Sequence, residues 1–176
     1  KPLDGLEVSS ISADLYNNGR DDLALFYFRE GANYATLSTS NSIVSETITW
    51  NEGSNKKIIK ALLVNTKNAN TFTGKQGYEG IDTVAKSLAK NLTLRESKKE
   101  EGISETVKIK DLIFASTGVI GEKYPIEKIN DRIGTLKIRT LASKNDSNMF
   151  FPHPKELNEN IVLDIVYSVL MPVNQS

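Results

Sequence analysis

Ser116-Thr117-Gly118 puts two hydroxyl donors beside a glycine whose backbone N–H has no side chain in front of it. Donors gathered this way suit a negative charge, either a bound anion or a charge that develops during a reaction. A second group lies upstream. Asn65-Thr66-Lys67-Asn68-Ala69-Asn70-Thr71-Phe72-Thr73-Gly74 supplies amide and hydroxyl side chains in a run long enough to edge a binding site. Each group also has a plain structural reading. Small-residue turns commonly follow buried strands, and loop amides commonly satisfy loop backbone.

Both groups need rigid elements around them. Residues 112–115 are apolar and read as a short, buried central strand, with Val107 and Ile109 leading into it. Gly121 and Pro125 follow the turn. Ile126, Ile129 and Ile133 then fall on one helical stripe, with the proline in the first turn. Strand, glycine turn and helix in succession leave backbone N–H groups unpaired and aimed at one spot. Residues 58–64 read as the strand before the asparagine loop. Residues 77–92 have helical period, with Tyr78, Ile81, Ala85, Leu88 and Leu92 on one face and Lys86 and Lys90 toward solvent.

The earlier chain supplies more strands. Val8, Ile11 and Leu15 mark a first strand diluted by serines. Residues 17–22 form a turn in which Asp21-Asp22 reads as solvated. Residues 23–28 are a nearly continuous apolar run, which suits a strand buried on both faces. Glu30-Gly31-Ala32-Asn33 reads as a turn and 34–39 as the returning strand of a hairpin. Residues 41–50 fit a short helix or a strand, with Trp50 in the core. Residues 95–102 read as an exposed, charged loop. Leu136 and Ile138 end the last helix or start a strand, 143–154 is a loop, and 161–170 is a late buried strand or a helix. The order is that of a mixed α/β chain, 1–176 as one domain, with helices covering a sheet.

Composition excludes several classes of function. With 39% hydrophobic and 25% charged residues, the 176-residue chain can bury a real core. Lysine plus arginine and aspartate plus glutamate are 22 each, so the net charge of +0 argues against nucleic acid and anionic membrane as partners. The absence of cysteine removes disulfides, thiol nucleophiles and thiolate metal sites, and is compatible with a reducing, cytoplasmic setting. The one histidine, His153, lies between Pro152 and Pro154 and reads as a solvated loop residue. It cannot build a zinc-type site alone. Neither a metal nor a cofactor is expected. No apolar run is long enough to span a membrane, and the amino terminus lacks a signal-peptide core. Gly74-Lys75 lacks the upstream glycine and following hydroxyl of a P-loop, and no G-x-S-x-G is present. Asn91-Leu92-Thr93 is a chance match to the glycosylation tripeptide.

Taken in order, the two groups resemble a known family. Asn65 to Asn70 with Thr73-Gly74 and Gly77 resembles the N-x-x-N-A-N…T-G-x-x-G signature of the bifunctional ornithine acetyltransferase/N-acetylglutamate synthase family. Ser116-Thr117-Gly118-Val119-Ile120-Gly121, with Pro125, Ile126 and Lys128, resembles its S-T-G-V-I-G…P-x-x-K segment. Asp22-Leu23-Ala24-Leu25 and Thr39 with Asn41 are similar to its early strands. The resemblance runs from Gly19 to Ile133.

The resemblance implies a layered αββα sandwich, like that of the self-processing aminopeptidases. It also implies the α chain of a self-cleaved acetyltransferase of arginine biosynthesis. In that family a β chain begins with a threonine nucleophile whose own amine serves as base. The threonine takes acetyl from N-acetylornithine and passes it to glutamate, in an α2β2 assembly. By resemblance the oxyanion hole falls to the Thr117 hydroxyl and the Gly118 backbone N–H. Asn65, Asn68, Asn70 and Ser116 fall in the substrate region. Residues 134–176 depart from the pattern. They contain neither the M-T-T-D-T segment nor the lysine- and glycine-rich stretch, and Thr140 before Leu141-Ala142 lacks the context of a cleavage site. The departure leaves two other expectations: a non-catalytic small-molecule-binding subunit on the same fold, or a related self-processing amidase or aminopeptidase.

Overall fold

The computed structural model describes residues 5–53, 57–99 and 106–140. His153, the loop at 143–154, the element at 161–170 and all of the divergent tail beyond 140 lie outside the described residues, as does the end of the charged run at 100–102.

Among the described residues five strands form one sheet: β1 (Leu6–Ile11), β2 (Leu23–Asn33), β3 (Ile58–Asn65), β4 (Leu112–Ser116) and β5 (Arg139–Thr140). Their spatial order is β4-β3-β2-β1-β5. β1, β2 and β3 are antiparallel neighbours, with Ile11 opposite Leu23 and Leu23 opposite Asn65. β3 and β4 are parallel, from Ala61 opposite Leu112 to Asn65 opposite Ser116. A parallel pair needs a long crossover, and the 26-residue helix α2 (Gly74–Lys99) provides it. The register has a direct consequence: Asn65 and Ser116 finish side by side, so both chemistry-bearing groups leave the same edge of the sheet.

The alternation of β2 explains the layering. Leu23, Leu25 and Tyr27 join Ala61, Leu63, Leu112 and Phe114 on one face, where α2 lays Ile81, Val84, Ala85, Leu88 and Leu92 against them. The same core takes Trp50 of α1 (Glu46–Glu52) and Ile129 and Ile133 of α3 (Ile126–Ile133). Trp50 stands edge-on to Phe114 with ring centroids 5.1 Å apart. Leu6, Val8, Phe28, Ile59, Leu62 and Ile113 are buried on the opposite face. The fold is mixed α/β, and the described residues supply one helical layer and one sheet of a layered sandwich.

Several sequence expectations change. β2 does not turn at residues 30–33. It runs on to Asn33, with its register to β3 shifting between Tyr27 and Ala32, while residues 34–41 form no regular element. Gly31 absorbs the bulge at φ 82°, where an added Cβ would meet Ile58 Cγ2 at 2.7 Å. Among the described strands, β4 lies at one end of the sheet order rather than at its centre. Residues 41–50 resolve as an irregular lead and the helix α1, capped by Ser45, whose hydroxyl accepts from Thr47 N. Tyr78 is exposed and Val84 takes the core position. Residues 95–99 are the last turns of α2, not a loop. Arg95 is drawn in because Glu7, on the helix-facing side of β1, offers it a buried carboxylate. Asp22 is also buried rather than solvated: its carboxylate accepts from Ala13 N at 2.6 Å and Leu15 N at 2.7 Å, which folds the β1–β2 connection back on itself.

Candidate active site

Beyond the ends of β3 and β4 the parallel pairing continues through both loops. Thr117 N donates to Asn65 O (3.1 Å), Val119 N to Lys67 O (2.8 Å), Ala69 N to Val119 O (3.0 Å) and Gly121 N to Thr71 O (2.9 Å). The two sequence groups are thus one structural unit, zipped main chain to main chain. The sequence reading of several free amides in the turn is corrected here, since three of them are committed to the neighbouring loop. Gly118 N–H and the Thr117 hydroxyl are different. Neither makes a hydrogen bond to any described residue.

Two glycines are dictated by this packing. Gly118 holds φ 134°, and a Cβ there would lie 2.1 Å from the Lys67 carbonyl carbon. The asparagine loop crosses directly over it, so no other residue fits. Gly77 faces Thr73 Oγ1 and Asn70 Oδ1, which a Cβ would meet at 2.0 and 2.3 Å.

The asparagines serve as internal staples. Asn65 donates to Asn68 O at 2.9 Å. Asn68 donates to Glu122 O and Lys123 O, both at 3.1 Å, and accepts from Asn70 N at 2.8 Å. Asn70 is fully buried, in left-handed backbone at φ 50°, and its amide donates to Thr47 Oγ1 at 3.1 Å and Gly77 O at 3.3 Å. Thr73 donates to Asn70 Oδ1 at 2.7 Å. Asparagine tolerates left-handed backbone better than most residues, and each buried amide here meets a partner. Asn65, Asn68 and Asn70 are all nearly inaccessible to solvent. Together with Ser116, which donates to Asn65 Oδ1 at 2.7 Å, they form the wall behind the turn, while Thr117 and Gly118 form its open surface.

Three contributors were not evident in sequence. Thr47 arrives from α1 and lies 2.9 Å from Ser116 Oγ. Tyr124 is buried beneath the turn, its hydroxyl 3.4 Å from Asn65 Oδ1, and burial pushes its pKa up. Gln76 grips the Tyr124 backbone twice, donating to its O and accepting from its N, both at 3.1 Å. Gln76 stood out in the sequence only as the residue that breaks a P-loop pattern, and that departure was the one signal available. Lys128 donates to Asp14 O at 2.6 Å, tying α3 to the β1–β2 connection. Among the described residues no group of acidic or histidine side chains is placed to hold a metal. None of the described helices is long and apolar enough to cross a membrane.

The chain has clear relatives. The model of the ArgJ family matches residues 7–157. The arginine biosynthesis bifunctional protein ArgJ of Caulobacter vibrioides is 30% identical over 145 residues, covering 80% of this chain and 33% of that protein. Its counterpart from Gluconobacter oxydans is 33% identical over 126 residues, covering 71% of this chain and 27% of that one. The chain therefore spans about a third of the length of the curated relatives it matches. Two crystal structures share the fold. ArgJ from Bacillus halodurans superposes with a TM-score of 0.66 at 24% identity, covering 77% of this chain and 65% of that one. The ornithine acetyltransferase of Mycobacterium tuberculosis, solved with ornithine, gives 0.65 at 22% identity, covering 78% and 69%.

Proposed function

The chain belongs to the ArgJ family, and from that premise we propose that it carries the charge-stabilising half of an acetyl-transfer site. Its partner is a β chain from the same precursor, in an α2β2 assembly, whose amino-terminal threonine is the nucleophile. The threonine hydroxyl attacks the acetyl carbonyl of N-acetylornithine, and its own amine takes the proton. The carbonyl oxygen becomes an oxyanion, which accepts from Thr117 Oγ1–H and Gly118 N–H. Collapse, with that proton passed to the departing amine, releases ornithine and leaves an acetyl ester on the threonine. The amine of glutamate then attacks that ester, and a second oxyanion forms at the same donors. Its collapse gives N-acetylglutamate as the amine's proton passes through the threonine amine to the threonine oxygen. No cofactor is needed for either half.

One observation carries this reading: in a turn where Thr117, Val119 and Gly121 N–H are committed to the neighbouring loop, the Thr117 hydroxyl and the adjacent Gly118 N–H have no acceptor among the described residues. Donors held in advance by the protein stabilise a developing charge without reorganising when it forms.

The test is an intact-mass spectrum of the natively purified full-length protein, before and after N-acetylornithine. A chain beginning with threonine that gains one acetyl group is the expected result. An unmodified protein would overturn the reading and favour the small-molecule-binding alternative. Thr117→Ala is expected to slow acetyl transfer by about 100- to 1000-fold with assembly intact. Unchanged turnover would remove Thr117 from the oxyanion role.

A further inference from the structure

We propose that Thr47, on α1, is a positioning residue that sets the turn presenting Thr117 and Gly118; its catalytic consequence rests on the acetyl-transfer reading above. Thr47 belongs to neither sequence group. It is buried at 2% exposure and comes from an element that otherwise contributes to the core.

The hydrogen bonds around it have one consistent direction. Asn65 Nδ2 donates to carbonyl oxygens of Asn68 and Thr66, so Asn65 Oδ1 must be an acceptor. Ser116 therefore gives its only proton to Asn65 Oδ1 at 2.7 Å. With that proton used, Ser116 Oγ can only accept from Thr47 Oγ1, 2.9 Å away. Thr47 in turn accepts from Asn70 Nδ2 at 3.1 Å. The chain runs Asn70 to Thr47 to Ser116 to Asn65, and successive bonds of this kind polarise and align one another. Ser116 precedes Thr117 directly, and Asn65 O holds the Thr117 amide at 3.1 Å. Thr47 thus links the asparagine loop and the turn through side chains, alongside the backbone bonds between them.

A valine at position 47 keeps the shape and the β-branch but deletes one donor and one acceptor. Ser116 Oγ then loses the proton donated by Thr47 and is held mainly by its own bond to Asn65 Oδ1, and the Asn70 side-chain amide keeps only Gly77 O as acceptor. The loss falls on the placement of oxyanion donors rather than on ground-state binding, so it belongs in kcat and not in KM.

The experiment compares Thr47→Val, Thr47→Ser and Thr49→Val in the full-length protein. Thr49 is exposed on the same helix and serves as control. Thr47→Val is expected to lower kcat for acetyl transfer by at least about tenfold with KM unchanged. Thr47→Ser should return to within about twofold of wild type, and Thr49→Val should match it. Equal kcat for Thr47→Val and wild type overturns the proposal. So does an equal loss in Thr47→Ser, which would assign the effect to packing. Should the valine variant fail to fold, Thr47→Ala is read in the same way. A wild type that transfers no acetyl removes the acetyl-transfer reading, and positioning is then decided by hydrogen exchange at the Thr117 and Val119 amides. Exchange at least about tenfold faster in Thr47→Val, and restored in Thr47→Ser, supports the proposal. Unaltered exchange overturns it.

Discussion

The sheet is held differently at its two ends. Where β3 and β4 finish, the bonds that fix residues 116–119 all join uncharged groups: backbone amides, asparagine side chains and hydroxyls. Toward the other end, Glu7 pairs with Arg29 at 2.8 Å and with Arg95 of α2, whose guanidinium lies 5.5 Å from the Tyr27 ring centroid. The hydrogen bond that Arg29 donates to Glu7 leads in holding the arginine above its ordinary pKa, so the guanidinium stays charged. Neutral bonds are directional. Each amide or hydroxyl selects one orientation, and the donors left over are the ones the geometry leaves over. Ion pairs tolerate more orientations and extend a field. A carboxylate among the bonds that set Thr117 and Gly118 would oppose an oxyanion there. The same sheet thus uses charge to fasten a helix and neutral bonds to aim donors.

The largest test of this contrast is Gly118→Ala. The added Cβ would collide with the Lys67 carbonyl at a backbone angle few L-residues adopt. Acetyl transfer is expected to fall by more than about 1000-fold, measured as acyl-enzyme formation in single turnover. Retained transfer would mean that the neutral end is not aimed as described. Next comes Glu7→Gln, which takes the carboxylate partner from Arg29 and leaves Arg95 only its pair with Glu96. About 2 kcal/mol of unfolding free energy should be lost in urea titration, with turnover within about twofold of wild type. A comparable loss of turnover would show that the two ends are coupled.

The smallest effect concerns Tyr124. Burial raises its pKa above the ordinary 10.0, so the unfolded chain releases the proton first as pH rises. Its contribution to stability is therefore complete below about pH 10 and is lost as pH climbs toward the folded value. Tyr124→Phe should flatten the alkaline limb of stability against pH. It should cost less than about 1 kcal/mol near neutrality, because the bond to Asn65 is long. Urea midpoints measured from neutral to alkaline pH decide this, and an unchanged slope would exclude Tyr124 as the titrating group.

Legibility from sequence followed the range of the interactions. Leu23, Leu25 and Tyr27 alternate with Phe26 and Phe28, so a strand buried on both faces was evident. Ile126, Ile129 and Ile133 likewise announced their helix. The donor turn was visible because serine, threonine and glycine are chemically distinctive in series. Where a residue's fate depended on a distant partner, local composition misled. Asp22 looked like a solvated turn residue, yet amides at Ala13 and Leu15 claim its carboxylate. Arg95 looked like part of a charged loop, yet it continues a helix toward Glu7. Glu30-Gly31 looked like a turn, yet the glycine accommodates a bulge. Thr47 and Tyr124 carried no local mark, since one comes from a core helix and the other from beneath the turn.

Asn65 and Ser116 are 51 residues apart, and Thr47 and Ser116 are 69 apart. None of the bonds that set the turn can therefore form before β3, α2 and β4 have all docked. Long-range closures are late events in folding because their entropy cost comes before their reward. A chain still emerging from the ribosome, or one with α2 undocked, carries Thr117 and Gly118 but not their arrangement. The paired arrangement of the Thr117 hydroxyl and Gly118 N–H is thereby reserved for the finished fold.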